Sequence, residues 1–190
     1  MPQQYRQVIR LASKSPRRQE LLTQLEVEFS LVDVDVDETP LINENPGEYV
    51  QRLAIEKAQA GSAKAGLDLP VLGADTIVVI DNQILGKPRS QQEGIAMLTL
   101  LSQRCHQVMT SVAVVSAKGL VSDLIITDVT FRHISEAEKL QYWQTGEPCD
   151  KAGGYGIQGL GGKFVERING SYYAVVGLPL METERLLALA

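Results

Sequence analysis

The spacing of apolar positions changes several times along the chain, and each change marks a predicted element. Val8 to Leu11, apolar apart from Arg10, suits a short strand feeding the helix that follows. Leu21, Leu22 and Leu25 then recur at helical spacing, with Ser15 as N-cap and Pro16 at the first helical position, which predicts a helix over 15–25. A strand is expected over 28–36, where valines alternate with Asp33, Asp35 and Asp37 in LVDVDVDE, so that the valines face inward and the aspartates face solvent. A longer helix is expected over 46–65, with Val50, Leu53 and Ala54 on its buried stripe. A buried strand follows at Val71 to Ile80, then an Asp81-Asn82 turn into Ile84-Leu85 and a helix capped by Ser90 that runs through Leu101. The runs 106–116 and 120–131, separated by Lys118-Gly119, predict a β-hairpin. Ser135 opens a helix with Glu138 at the capping-box position and Gly146 at its end. A glycine-rich segment, a strand over 163–168, an Asn169-Gly170 turn and a helix over 180–189 complete the chain.

Strands mixed with helices throughout predict an α/β fold, and the hairpin means that the sheet is mixed rather than purely parallel. At 190 residues the expectation is one domain over 1–190, or one domain with two lobes. The formal net charge of −5 argues against a broad nucleic-acid footprint, and three Phe, six Tyr and one Trp offer little for base stacking along a single strand. Any positive site must be local. The opening MPQQYRQVIRLASKS is charged before any apolar run develops, and no window approaches the length of a membrane span, so a soluble cytoplasmic protein is expected. Cys105 and Cys149 form no C-x-x-C motif and are expected to be reduced, structural thiols.

Several residues stand against the pattern of their own element. Arg17 and Arg18 fall in the first turn of the helix at Ser15, an end already made positive by unpaired N–H groups and the macrodipole. Asp75 interrupts the apolar strand VLGADTIVVI, where a carboxylate must be paired, metal-bound or at a cleft; a structural ion pair is the plain alternative. Lys57 follows Val50 by one heptad, so its stem lies on the core-facing side, either snorkelling to solvent or aimed into a cleft. Lys87 precedes Pro88 in a loop, and Glu38 ends the acidic strand. Glu38 also stands where an EF-hand requires glycine, which excludes that calcium loop. In KAGGYGIQGLGGK the spacing Gly154-x-Gly156-x-x-Gly159 lacks the strand before and the helix after that a dinucleotide fingerprint needs. What remains is a backbone loop carrying one amide side chain, Gln158. His106 and His133 show no metal-ligand spacing, and G-x-S-x-G is absent. Cations at a helix start, two further lysines and one or two carboxylates together suggest a polyphosphate site with a divalent metal.

These residues fall in motifs that resemble the Maf family of nucleoside triphosphate pyrophosphatases. The motifs are Ser13-x-Ser15-Pro16-Arg17-Arg18, Glu56-Lys57-Ala58, Gly73-Ala74-Asp75-Thr76, Gly86-Lys87-Pro88, Asp150-Lys151-Ala152-Gly153, Tyr155-Gly156-Ile157-Gln158-Gly159 and Ile168-Asn169-Gly170-Ser171. The resemblance implies a mixed, twisted sheet flanked by helices, two lobes with an active-site cleft as in inosine triphosphatases, a requirement for Mg²⁺ or Mn²⁺, a cytoplasmic location and a homodimer. Arg17, Thr76 and Gln158 match the branch of the family that acts on dTTP and UTP, where the 7-methyl-GTP branch has Trp, Gln and Glu.

The expected reaction is hydrolysis between the α and β phosphates of a pyrimidine nucleoside triphosphate. Asp75 takes the proton of the attacking water or ligates the metal, and Glu38 helps hold the metal or that water. Arg17, Arg18, Lys57 and Lys87 stabilise phosphoryl charge, and Ser13 binds phosphate. Uracil and thymine present two carbonyl acceptors flanking an N3–H donor, which the carboxamide of Gln158 can match. The arginine pair is expected to be unfavourable without a bound polyanion. A nucleotide sensor without turnover is the main rival, and an RNA-binding module is disfavoured by charge. Whether the role is pool cleaning, removal of noncanonical nucleotides or division control stays open.

Overall fold

The computed structural model describes residues 7–190; the first six residues of the opening segment considered above for a leader lie outside them. In chain order the elements are β1 (Val8–Leu11), α1 (Pro16–Gln24), β2 (Glu28–Leu31), α2 (Pro46–Ala65), β3 (Val71–Ile80), β4 (Gln83–Leu85), α3 (Gln91–Leu101), β5 (Cys105–Ser116), β6 (Gly119–Phe131), α4 (Glu136–Gln144), β7 (Val165–Asn169), α5 (Tyr172–Val176) and α6 (Leu180–Leu189). Three short 3₁₀ turns, Glu147–Asp150, Ala152–Gly154 and Leu160–Phe164, lie between α4 and β7. Among the described residues no helix is long and apolar enough to cross a membrane.

The strands form a seven-stranded sheet in the order β2-β1-β3-β5-β6-β7, with β4 paired to β3 beside that path. β1 runs parallel to both β2 and β3, whereas β4 is antiparallel to β3 and β7 antiparallel to β6. The sheet is therefore mixed, as the hairpin requires. Parallel neighbours need a crossover, and α1 supplies it between β1 and β2.

Two compact units divide the chain. The first holds the chain up to Asp75 together with Thr110–Leu124 and Gly177–Ala190; the second holds Thr76–Met109 and Ile125–Val176. In the first, Leu53, Ala54 and Ala58 of α2, Leu72 and Ala74 of β3, and Ile9 and Leu11 of β1 are buried. In the second, α3, α4 and the strands enclose Leu98, Leu101, Val129, Phe131, Tyr142 and Phe164. His106 is buried there too, its Nε2 2.8 Å from the Tyr155 hydroxyl and its ring edge-on to Phe131.

Helix ends follow local chemistry in most places. Asn45 and Glu48 form a capping box at the start of α2, as Ser135 and Glu138 do for α4, and Ser90 accepts from the Glu93 N–H at the start of α3. Two N-caps depart from this: Ser15 of α1 has extended backbone but its side chain makes no capping hydrogen bond, and Pro179 of α6 makes none either. The strand expected over 28–36 ends at Leu31. Leu31 pairs with Leu11, the last residue of β1, and one further bond joins Val32 N–H to Leu11 O before the ladder has no partner left. The alternation outlasts the ladder, because Val32, Val34 and Val36 are more buried than Asp33, Asp35 and Asp37. The strand expected over 163–168 is likewise shifted to Val165–Asn169, since Lys163 and Phe164 belong to a 3₁₀ turn. Cys105 and Cys149 are free but exposed, so neither packs in a core as the structural-thiol expectation had it.

Candidate active site

Every residue of β3 is buried except Asp75 and Thr76. Two residues before Asp75, Gly73 lets the backbone of α2 come unusually near: a Cβ there would lie 2.4 Å from Ala54 O and 2.5 Å from Ala58 N. Only glycine permits that approach. It sets Lys57, beside Ala58, against the open stretch of the strand. Lys57 Nζ donates to Asp75 Oδ1 at 2.7 Å and pairs with Glu38 Oε1 at 2.8 Å. The Lys57 and Asp75 side chains are each 14% exposed and Glu38 is 59% exposed, so solvent reaches the cluster from the Glu38 side. An ammonium has three donors, and these two carboxylates use two of them. Asp75 Oδ2 makes no hydrogen bond to a described residue.

Glu38 comes from a segment without regular structure, and side chains of α2 tether it. The Tyr49 hydroxyl donates to Glu38 O at 2.8 Å, Arg52 Nη2 donates to Thr39 O at 3.2 Å, and Asp37 accepts from the Thr39 N–H at 2.9 Å. Arg52 also grips Glu44 with two hydrogen bonds, of 2.6 and 2.9 Å, and this guanidinium holds the Glu44 carboxyl down to about 2. Burial raises the Tyr49 phenol, and the charges of Asp75 and Glu38 raise it further.

At the start of α1, Arg18 Nε donates to Gly177 O at 2.9 Å and Nη1 to Ser13 Oγ at 3.1 Å. Burial pulls the Arg18 guanidinium pKa down and Arg17 adds to that, while Asp75 and Glu38 oppose it. The arginine pair was expected to be unfavourable without a ligand. For Arg18 a carbonyl, a hydroxyl and the charges of Asp75 and Glu38 offset part of that cost, yet burial prevails and the guanidinium pKa stays lowered, in line with the expectation. Ser13 Oγ accepts from Arg18 and, at 3.2 Å, from the Ser15 N–H. With both acceptor positions used, its O–H can serve only as a donor.

The first unit thus brings Ser13, Arg18, Glu38, Lys57 and Asp75 together. Thr76, Lys87 and Gln158 belong to the second unit. Lys87 is exposed in the loop after β4, and this loop is tied to the glycine-rich segment by a 3.0 Å bond from Gly153 N–H to Gly86 O. Gln158 is exposed at a tight turn closed by Gly159 N–H donating to Gly156 O. No sequence pattern singles out Glu147 or Tyr142, although both organise this loop; a carboxylate directly after the helix-ending Gly146 is the one available signal.

Among the described residues no group of three or more His, Cys, Asp or Glu could enclose a metal ion. Asp75 and Glu38 form a pair of hard oxygen donors instead. That suits Mg²⁺ or Mn²⁺, which take one or two carboxylates and complete their shell with water and substrate phosphates.

Residues 8–190 match the family model described as Maf-like protein. The chain belongs to the Maf family. Relatives of this Maf chain include the dTTP/UTP pyrophosphatase of Saccharophagus degradans, 57% identical over 180 residues that cover 93% of this chain and 86% of that one. The dTTP/UTP pyrophosphatase of Pseudoalteromonas translucida is 58% identical over 177 residues, covering 93% and 94%. Among solved structures, the nucleoside-triphosphatase / dITP/XTP pyrophosphatase of Mycobacterium abscessus aligns with a TM-score of 0.50 at 18% identity, over 96% of this Maf chain and 95% of that one. At that identity the likeness concerns the fold, a mixed sheet flanked by helices.

Proposed function

We propose that this Maf chain hydrolyses dTTP and UTP to the nucleoside monophosphate and pyrophosphate. The observation that carries the reading is the Lys57 ammonium holding Glu38 and Asp75 beside Ser13 and Arg18, in a chain 57% identical to a dTTP/UTP pyrophosphatase. Asp75 Oδ2 accepts the proton of a water whose oxygen bonds to phosphorus as the α–β phosphoanhydride P–O bond breaks and pyrophosphate leaves. Lys57 holds Asp75 in place, and its third N–H is available to a phosphate oxygen. Arg17, Arg18 and the Ser13 O–H bind phosphate at the start of α1, where the helix dipole adds to their charge. Lys87 is assigned to phosphate charge. Thr76 and Gln158 are assigned to the base, Gln158 donating to one carbonyl of uracil or thymine and accepting from N3–H. A divalent ion held by Asp75 and Glu38 would neutralise phosphate charge there. The family resemblance supports a homodimer acting in the cytoplasm.

Pyrophosphate release from dTTP, UTP, CTP, GTP and 7-methyl-GTP, with and without Mg²⁺ or Mn²⁺, tests the reading. Metal-dependent release mainly from dTTP and UTP is expected. Release from another base would overturn the assignment of Thr76 and Gln158, and no release at all would leave a nucleotide sensor.

A further inference from the structure

The glycine spacing of the segment 156–161 matches neither nucleotide fingerprint, and packing explains it instead. A Cβ on Gly159 would lie 2.4 Å from Glu147 Oε2, and one on Gly161 would lie 2.6 Å from the Tyr142 hydroxyl. The glycines make room for two side chains that reach into the loop and hold its amides. Glu147 accepts from Leu160 N–H at 2.8 Å, from Gly161 N–H at 3.0 Å and from the Tyr142 O–H at 2.7 Å. Tyr142 Oη in turn accepts from Gly156 N–H at 3.1 Å. The Gln158 turn is therefore gripped on both sides, at Gly156 and at Leu160–Gly161, by one hydrogen-bonded Glu147–Tyr142 unit.

We infer that Glu147, acting with Tyr142, is a positioning residue for base selection: it fixes the direction in which the Gln158 carboxamide is presented. The inference rests on the proposed base-reading role of Gln158. Three donors converge on Glu147, and a carboxylate, which only accepts, can satisfy all three. A carboxamide of the same shape has a single acceptor oxygen and must turn its NH₂ toward one of the loop's own N–H groups. The ionised form is favoured in place: burial opposes it, but the Gly161 N–H, the Tyr142 hydroxyl and the Leu160 N–H outweigh burial and lower the Glu147 pKa. Gln158 points to solvent and makes no hydrogen bond of its own to a described residue, so its direction depends on the turn beneath it.

Discrimination between UTP and CTP reads this directly, because cytosine reverses the donor and acceptor pattern at N3 and position 4. In Glu147→Gln, the ratio of kcat/KM for UTP over CTP is expected to narrow about tenfold. The loss should appear mainly as a higher KM for UTP, with the melting temperature lowered by only a few degrees. Gln158→Ala is the reference and is expected to narrow the ratio at least as much. A wild-type ratio retained in Glu147→Gln, with the ratio lost in Gln158→Ala, overturns the inference and leaves the base reading intact. A wild-type protein that treats UTP and CTP alike overturns the base reading, and the inference with it. If Glu147→Gln does not fold, Tyr142→Phe removes one hydroxyl from the same unit and is held to the same ratio. Amide exchange of the unmodified protein stands apart from any variant. Gly156, Leu160 and Gly161 are expected to be protected well above free-peptide rates, and free-peptide rates at these three amides would overturn the inference.

Discussion

Around Lys57, three carboxylate and ammonium side chains converge from a helix, a strand and an irregular segment, and the backbone contributes only the close approach at Gly73. Around Gln158 the arrangement is inverted: two side chains are withdrawn beneath the loop, and backbone amides are what they arrange. On the proposed reading, the first region supplies the charge for phosphoryl chemistry. The second places a neutral carboxamide by shaping the turn that bears it. Removing a charge should therefore damage reaction rate in the first region, and disturbing packing should damage stability or selectivity in the second.

The largest effect is expected from Asp75→Asn. The amide oxygen can still accept from Lys57, so the fold should survive with a melting temperature close to wild type. The proposed proton acceptor is gone, and the rate of pyrophosphate release should fall roughly 10³-fold, within the usual range for a lost general base. Nucleotide binding, followed by calorimetry, should persist. A fall of less than tenfold would place the proton acceptor elsewhere and break the contrast between the two regions.

A smaller effect, on stability, is expected from Gly153→Ala in the second unit. Gly153 has φ of +69°, and a Cβ there would sit 2.9 Å from both methyl carbons of Val78. Left-handed backbone and overpacking act together and should cost about 1–3 kcal/mol in urea unfolding. Gly86→Ala, where a Cβ meets nothing within 4 Å, is the internal control and should stay within about 1 kcal/mol. Equal losses at both positions would mean that the loop is not packed as described.

The same contrast explains what could be seen in the sequence. α2 and α6 have the expected boundaries, and β3 has its expected span, because apolar period and end signals are local. Lys57 on a buried stripe and Asp75 in an apolar strand stood out because each violates the burial preference of its element, so the charged cluster was legible in outline. Its tethers were less so. Gly177 O accepts from Arg18 across 159 positions in the chain, and no local pattern carries such a pairing. The strand over 28–36 was overdrawn for a related reason: alternation reports which way side chains face, whereas a ladder also needs a partner, and β1 ends at Leu11. The glycine loop was the least legible part. Its glycines signalled a turn, but nothing nearby in sequence shows which side chain will occupy the space they leave.

The smallest expected effect separates the regions by pH. In the second unit, burial pushes the His106 imidazole down to about 4, and its Nδ1 is buried with no hydrogen-bond partner among the described residues. Protonation would bury a second donor without an acceptor. The unfolded chain binds that proton near pH 6.5, so between about 6.5 and 4 the unfolded state holds more protons than the folded one, and stability falls as pH falls through that window. In the first unit, Glu44 is held at about 2 by Arg52, below its ordinary 4.5, so its contribution is intact above pH 4.5 and is lost only toward pH 2. From pH 7 to pH 5 the His106 region should therefore respond while the Glu44–Arg52 tether stays silent. Urea unfolding of the wild type should lose about 1–2 kcal/mol over that interval, and His106→Gln, which does not titrate, should show a flatter dependence. Glu44→Gln should leave the slope between pH 7 and 5 as it is and change it only below pH 4.5. A His106→Gln slope equal to wild type would show that the imidazole takes up its proton in the folded state near pH 6.5, which the unpartnered Nδ1 does not allow in this packing.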